Sequence, residues 1–542
     1  MSVDRSRRSF IGASAAAMAA GMAAVSGALE AEPAAQTQDR SGTTPLTKRP
    51  NIILFMPDEL RADSLACYGN PIIKTPNIDR LASEGTRFAN CHAQYPVCGA
   101  SRCSMLTGWP TSVRGHRSLY YFLRPEEPNL FRYLKRSGYD VFWYGKNDAL
   151  AAQTFADSLT EWLTPTGAHS RSAPVNATPG VNSMLYGPSG DRTTTSDYAV
   201  LQAATKIIER KESERPFFLF LPMINPHPPY TICPDFYNMY APTDVAALVP
   251  PGLPKKPRFH AGIRSRYGLD KLDDASLRKI RAVYYGQVSY IDWLLGELMA
   301  TLEKTGRDKD TALFLLSDHG DYAGDFGLIE KWPSGLEDCL THVPLIGRVP
   351  GGKPGVVAED MIELYDIMQT CLEVGGTPSE HTHFSRSLTA QLSGHSGDPD
   401  RAVFCEGGYN VYEPQCVEPM RAGMASDYVN KIRLQNEDPQ TVSRSAMVRT
   451  RDYKLIVRPQ GQSELYSYRD DPLEKNNLFG EGRMAGIQTN LQNELLRHYI
   501  ETTGIAPMDK DSRDVPPFYP TNMNLTPSDW QRTILDEAGH DS

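Results

Sequence analysis

The chain has 542 residues, of which 40% are hydrophobic and 22% charged, and a formal net charge of −9. This length exceeds what one hydrophobic core usually organises and predicts two domains. The acidic balance excludes a nucleic-acid-binding surface, so an anionic substrate has to be met by a local basic pocket.

At the start, Ser6-Arg7-Arg8-Ser9-Phe10-Ile11 places twin arginines ahead of an Ala-rich, weakly apolar run that ends among small residues near Ala28 and Ala31. The pattern predicts a cleaved Tat signal over residues 1–31, engagement of the Tat export machinery, and a periplasmic or otherwise exported protein. The run is too short and too rich in Ala and Gly to span a bilayer. The chain has 9 cysteines, an odd number, so at least one is unpaired. Cys91, Cys98 and Cys103 cluster near His92, but their spacing fits neither zinc nor iron–sulfur ligation. They read as one functional and two structural thiols.

Four unbroken apolar runs follow in order: residues 51–56 (NIILFM), 139–144 (YDVFWY), 217–224 (FFLFLPMI) and 311–316 (TALFLL). Runs of this kind suit strands buried on both faces of a parallel sheet. Helical periodicity lies between them, over residues 77–88 and most clearly over 277–302. The alternation predicts an α/β sandwich. Each run ends in a polar cluster: Asp58-Glu59, then Gly145-Lys146-Asn147-Asp148, then Asn225-Pro226-His227, then Ser317-Asp318-His319-Gly320-Asp321. Sites in open α/β sheets form beyond the carboxyl ends of the strands. One such ending reads as ordinary turn chemistry, but four bring carboxylates, a lysine and two histidines to one edge. Asp58, Asp318 and His319 suit a divalent cation such as Ca²⁺, Mg²⁺ or Mn²⁺. Glu59 is a further candidate ligand, unless strand alternation turns it to the opposite side.

Between the first two runs, Cys98-Gly99-Ala100-Ser101-Arg102 opens an apolar helix. A helix start presents unpaired N–H groups and a positive dipole end to an anion. Arg102, four residues on, shares a face with Cys98 and can grip a tetrahedral oxyanion with its fork of donors. Taken alone, the run also describes a buried cysteine near a helix cap.

With Thr107-Gly108 behind it, this run resembles the signature of the type I sulfatases of the alkaline-phosphatase superfamily, in its alanine form at Ala100. Leu60-Arg61-Ala62-Asp63, Cys67-Tyr68-Gly69 and Thr75-Pro76-Asn77 resemble that family's N-terminal segments. Tyr453-Lys454-Leu455-Ile456 and Glu464-Leu465-Tyr466 resemble its closing sheet, so the likeness spans about residues 50–480 in family order. The Asp318-His319 pair is similar to the choline-sulfatase, iduronate-sulfatase and phosphonate monoester hydrolase branches.

The resemblance implies an alkaline-phosphatase-like α/β/α sandwich over residues 46–395, built on a large, mostly parallel sheet. A smaller α+β subdomain with a short antiparallel sheet is expected within 396–542. The implied activity is sulfuric ester hydrolysis on a sulfated alcohol, with a carbohydrate sulfate as the expected substrate. Cys98 would be converted to formylglycine (3-oxoalanine) by a cytoplasmic formylglycine-generating, sulfatase-maturing enzyme, and the hydrated aldehyde would supply the nucleophile. The implied metal set is Asp58, Glu59, residue 98, Asp318 and His319, with calcium first and manganese or magnesium next. Arg102 and Lys146 would hold the sulfate oxygens, and His227 or Lys331 would protonate the leaving alcohol. Asp148 stands where most members carry histidine, and is either the base that breaks down the sulfated nucleophile or an ordinary loop acid. Three other readings use the same residues: a phosphonate monoester or phosphodiester hydrolase, a non-catalytic binder of sulfated glycans, and a plain Cys98 thiolate hydrolase. The stretches 164–197 and 242–274 are too long for simple connectors and are expected to rim the pocket.

Overall fold

The computed structural model describes residues 49–164, 175, 178–210, 215–410, 412–419 and 427–505. The expected signal over residues 1–31 and the tail beyond 505 lie outside the described residues.

Eight strands form one mixed sheet in the order β4-β3-β5-β1-β6-β7-β2-β8. They are β1 (Asn51–Asp58), β2 (Thr86–His92), β3 (Asp140–Tyr144), β4 (Glu161–Leu163), β5 (Phe217–Pro226), β6 (Thr311–Leu316), β7 (His342–Arg348) and β8 (Val356–Glu363). The four apolar runs are β1, β3, β5 and β6, and they lie side by side and parallel as β3-β5-β1-β6. The strand period of two explains their continuous hydrophobicity. Ile53 and Phe55 enter the core on one face of the sheet, and Ile52, Leu54 and Met56 enter the core on the other.

Helices cover both faces. Those that bear on the site are α1 (Pro76–Glu84), α2 (Cys98–Thr107), α3 (Ser196–Ile208), α4 (Asp274–Thr305), α5 (Val429–Glu437) and α6 (Ala485–Thr502). The expected long helix is α4. Asp273 caps it by accepting from Ser276 N at 2.8 Å, and Gly306 ends it at φ 70°. The helical pattern expected over 77–88 stops at Glu84, and the chain passes through Gly85 into β2. A Cβ on Gly85 would lie 2.4 Å from the Gly347 carbonyl oxygen of β7, so the close approach of the two backbones decides that boundary.

A second, antiparallel sheet has the order β12-β11-β10-β9, formed by β9 (Val403–Gly407), β10 (Ser445–Arg449), β11 (Tyr453–Val457) and β12 (Glu464–Ser467). Helix α6 packs Leu491 and Leu495 against Val448 and Leu455 of this sheet. Buried ions join the two sheets: Lys454 Nζ lies 2.8 Å from Asp338 and 2.7 Å from Glu474, and Arg458 lies 3.0 Å from Glu464. Among the described residues, no helix is long and apolar enough to cross a membrane.

The turns beyond β1 and β6 are fastened together by Asp325. Its carboxylate accepts from Arg61 Nη1 at 2.8 Å, from Arg281 Nη2 at 2.7 Å and from Val249 N at 2.9 Å. Burial alone would raise the Asp325 pKa, but Arg281 and Arg61 outweigh it and bring it down to about 2. A carboxylate depressed below its unfolded value stabilises the fold above that value and loses the contribution as pH falls through the folded one. Asp325 should therefore contribute about 2 kcal/mol above pH ~4, lost as pH drops from ~4 to ~2. Asp325→Asn, which leaves Arg281 and Arg61 short of a buried partner, should cost about 3–5 kcal/mol in urea denaturation at pH 7.

Candidate active site

Cys98 is the first residue of α2, preceded by Val97 in extended conformation, so its side chain projects from the helix N-terminus as the sequence predicts. The thiol is buried. Its Sγ lies 3.3 Å from Asp58 Oδ1, 3.2 Å from His319 Nε2 and 3.8 Å from Lys146 Nζ. Burial, reinforced by the Asp58 carboxylate, pushes the thiol pKa well above its ordinary value.

One turn along α2, Arg102 bridges the carboxylates at the ends of β1 and β6. Its Nε donates to Asp318 Oδ2 at 2.8 Å, and its Nη2 lies 2.8 Å from Asp318 Oδ2 and 3.2 Å from Asp58 Oδ2. All three side chains are fully shielded from solvent, at 0% exposure. Lys146 adds a second cation 2.8 Å from Asp58 Oδ2. Burial would raise the Asp58 pKa, but Lys146 and Arg102 overcome it and hold the carboxyl well below the usual range. Lys146 reaches this point because Gly145 turns at φ 138°, where a Cβ would lie 2.2 Å from the Pro222 carbonyl oxygen. Asp148 Oδ2 lies 2.9 Å from Lys146 Nζ, so the acid at the expected histidine position does reach the site, through the lysine.

His319 turns its Nδ1 to the Gly320 carbonyl oxygen at 2.9 Å. That contact assigns the proton to Nδ1 and leaves the Nε2 lone pair facing Cys98. Burial lowers the His319 pKa, which keeps that lone pair available. Asp58, Cys98, Asp318 and His319 thus offer one ligand atom each within 4.8 Å of one another. Two carboxylates and a neutral imidazole with an outward N–H suit a hard or borderline divalent cation.

Glu59 faces elsewhere. Its backbone is left-handed at φ 66°, rare for a residue with a long side chain. The turn is held by Tyr284, whose hydroxyl donates to Glu59 O at 2.6 Å, and by Asp318 Oδ1, which accepts from Glu59 N at 3.2 Å. The carboxylate consequently contacts Lys331 Nζ and lies 3.3 Å from His227 Nε2. It belongs to a second set of possible ligand atoms, with Cys98 and His227, and not to the Asp58, Asp318 and His319 set. Lys331 Nζ lies 2.9 Å from His227 Nε2. Burial works against the Lys331 charge, but Glu59 more than offsets it and raises the lysine pKa well above its ordinary value. Burial and the Lys331 charge together hold His227 well below its own.

All the residues expected at the site therefore meet around Cys98. Tyr428, which carries no motif in the sequence, joins them from the turn before α5. Its hydroxyl lies 3.3 Å from His227 Nε2. Beside Lys146, His227 and Tyr428 opens a cavity of about 340 Å³. Thr194 and Thr195, from the stretch 164–197, wall it as expected. The stretch 242–274 is different: none of its residues lines this cavity. It forms the helix Arg258–Tyr267, which packs on α5, with Gly262 set against Leu434.

A family model described as Sulfatase matches residues 50–377. The chain is 27% identical to an arylsulfatase of Clostridium perfringens over 363 residues, 60% of this chain and 74% of that protein. It is 30% identical to the human iduronate 2-sulfatase over 351 residues, 58% of this chain and 62% of that one. Among solved structures, a phosphonate monoester hydrolase of Agrobacterium radiobacter shares the fold, with a TM-score of 0.70, 21% identity and coverage of 84% of this chain and 96% of its own.

Removing Arg102 leaves Asp58 and Asp318 buried with one cation fewer. In the presence of a chelator, Arg102→Met is expected to lower the unfolding free energy by about 3–5 kcal/mol in urea denaturation. A loss below about 1 kcal/mol would show that the two carboxylates do not depend on this bridge.

Proposed function

The chain belongs to the sulfatase family, the sulfuric ester hydrolases, and on that premise we propose that it removes sulfate from a carbohydrate sulfate, with residue 98 matured to formylglycine as the nucleophile. The observation that carries the reading is the division of charge around Cys98. One side presents Asp58, Asp318 and His319 together with Arg102 and Lys146; the other presents Lys331 and His227.

The first side matches nucleophile activation. A divalent cation held there by Asp58, Asp318, His319 and residue 98, calcium first and manganese or magnesium as alternatives, would supply Lewis-acid stabilisation of anionic oxygen. Arg102 and Lys146 are oriented before substrate arrives, so the charge that develops on the sulfate oxygens meets fixed donors at little reorganisation cost. Asp148 keeps Lys146 in place and charged; burial would discharge this lysine, but Asp148 and then Asp58 raise its pKa well above normal.

The second side matches departure of the alcohol. Nδ1 of His227 faces the Pro228 carbonyl oxygen, so its Nε2 carries the lone pair toward Lys331. Lys331 is then the proton donor and His227 orients it. We assign Glu59 to this half, as the carboxylate that keeps Lys331 protonated, and not to the metal. The Arg7-Arg8 segment supports Tat export of the folded protein, and a cytoplasmic maturing enzyme would then act on Cys98 before export.

The test is mass spectrometry of the residue-98 peptide from protein co-produced with a sulfatase-maturing enzyme, followed by turnover of 4-nitrophenyl sulfate alongside a phosphate diester. An aldehyde or its hydrate at residue 98, with the sulfate ester preferred, is the expected result. A thiol that persists while a control substrate matures, or preference for the diester, would contradict the reading. Lys331→Ala is expected to lower kcat/KM for a sugar sulfate by about 10²–10⁴-fold. The loss should be much smaller for 4-nitrophenyl sulfate, whose phenolate leaves without help.

A further inference from the structure

The cavity beside Cys98 has two kinds of wall. Pro228, Pro229 and the Tyr428 ring offer flat apolar surface, which suits the C–H faces of a sugar ring. Opposite chemistry comes from acceptor oxygens. Gln287 is 1% exposed and spends its amide N–H groups on Asn225 Oδ1 at 3.1 Å and on backbone carbonyls, while its Oε1 has no hydrogen-bond partner. Asp427 brings a carboxylate to the same wall and accepts from the Tyr186 hydroxyl at 2.6 Å.

Positive charge is scarce. Among the described lining residues, Lys146 is the one lysine or arginine, and it is held 2.8 Å from Asp58 and 2.9 Å from Asp148. His227 faces Lys331 at 2.9 Å. A hydroxyl, acetamido N–H or ammonium group on a bound sugar would meet acceptors here. A second sulfate or a carboxylate would meet Asp427, and like charges in a pocket with restricted water repel strongly. The volume of about 340 Å³ lies at the small end of ligand pockets, roughly 300–1,000 Å³.

We propose that this cavity is a leaving-group pocket for one sugar unit that bears a single sulfate and otherwise neutral or amino substituents, and that Asp427 excludes units carrying a second anion. The proposal rests on the sulfatase reading above. Tyr428, adjacent to Asp427 and 3.3 Å from His227 Nε2, ties this wall to the proton donors, so a repelled sugar also loses its alignment with them.

The experiment uses full-length protein with formylglycine established at residue 98. It measures kcat/KM for 4-nitrophenyl sulfate, for neutral hexose and amino-hexose monosulfates substituted at each hydroxyl, and for their disulfated and uronate counterparts. The best monosulfate should exceed the best dianionic substrate by at least about tenfold. Asp427→Asn should narrow that ratio at least about threefold, mainly by lowering KM for the dianionic substrates. A dianionic sugar that equals or exceeds every monosulfate overturns the proposal, and so does a folded Asp427→Asn whose ratio is unchanged. The wild-type ratio decides the matter if that variant fails to fold. Turnover of 4-nitrophenyl sulfate with none of the sugars overturns the proposal and leaves the sulfatase reading standing. Failure with the aryl sulfate and every sugar overturns both.

Discussion

The bridge that Arg102 makes between Asp58 and Asp318 is the contact on which the rest of the site depends. These carboxylates end two adjacent parallel strands, so the sheet itself forces them together in a region closed to water. Two anions there would repel each other and the thiol, and burial would drive protons onto them. A guanidinium rising from the first turn of α2 reverses the balance, since it reaches both carboxylates at once and comes from the helix that presents Cys98. The nucleophile, the carboxylates and the cation are thus placed by one piece of backbone geometry. A helix N-terminus meets two strand ends, and none of the three groups can move without exposing another's charge.

The opposite side of Cys98 is built by a different device. A left-handed backbone at Glu59 swings its carboxylate away from Asp58 and onto Lys331, which in turn faces His227. Glu330 extends the network, with Lys431 of α5 at 2.7 Å, and Tyr428 stands between the two lysines. The segment that leads into α5 therefore supplies one wall of the cavity and part of the proton-donor apparatus. Specificity and catalysis are linked here through the Asp427-Tyr428 dipeptide.

Much of this arrangement is legible in the amino-acid sequence. Strands buried on both faces admit no polar residue until they end, so the four apolar runs mark both the parallel core and the positions of Asp58, Lys146, His227, Asp318 and His319. Strands β2, β4, β7 and β8 escape the same reading for the converse reason. β4 is three exposed residues at the sheet edge, and β8 alternates irregularly between buried and exposed positions. The end of α1 at Glu84 depends on contact between Gly85 and Gly347, a pairing that periodicity cannot show. Glu59 looks like a twin of Asp58 in the sequence, and only the left-handed turn separates them. Tyr428 meets His227 across 201 positions of chain with no local pattern to announce it.

The account's central claim is that Asp58, Asp318, His319 and residue 98 form one metal centre while Glu59 serves Lys331. A crystal of matured protein grown with calcium or manganese, measured for anomalous scattering, tests that claim most directly. The account expects a single peak bounded by those four residues, at about 2.0–2.6 Å from their ligand atoms, with Glu59 still on Lys331. A peak coordinated by Glu59 and His227, or no peak in protein that hydrolyses sulfate esters, would contradict it.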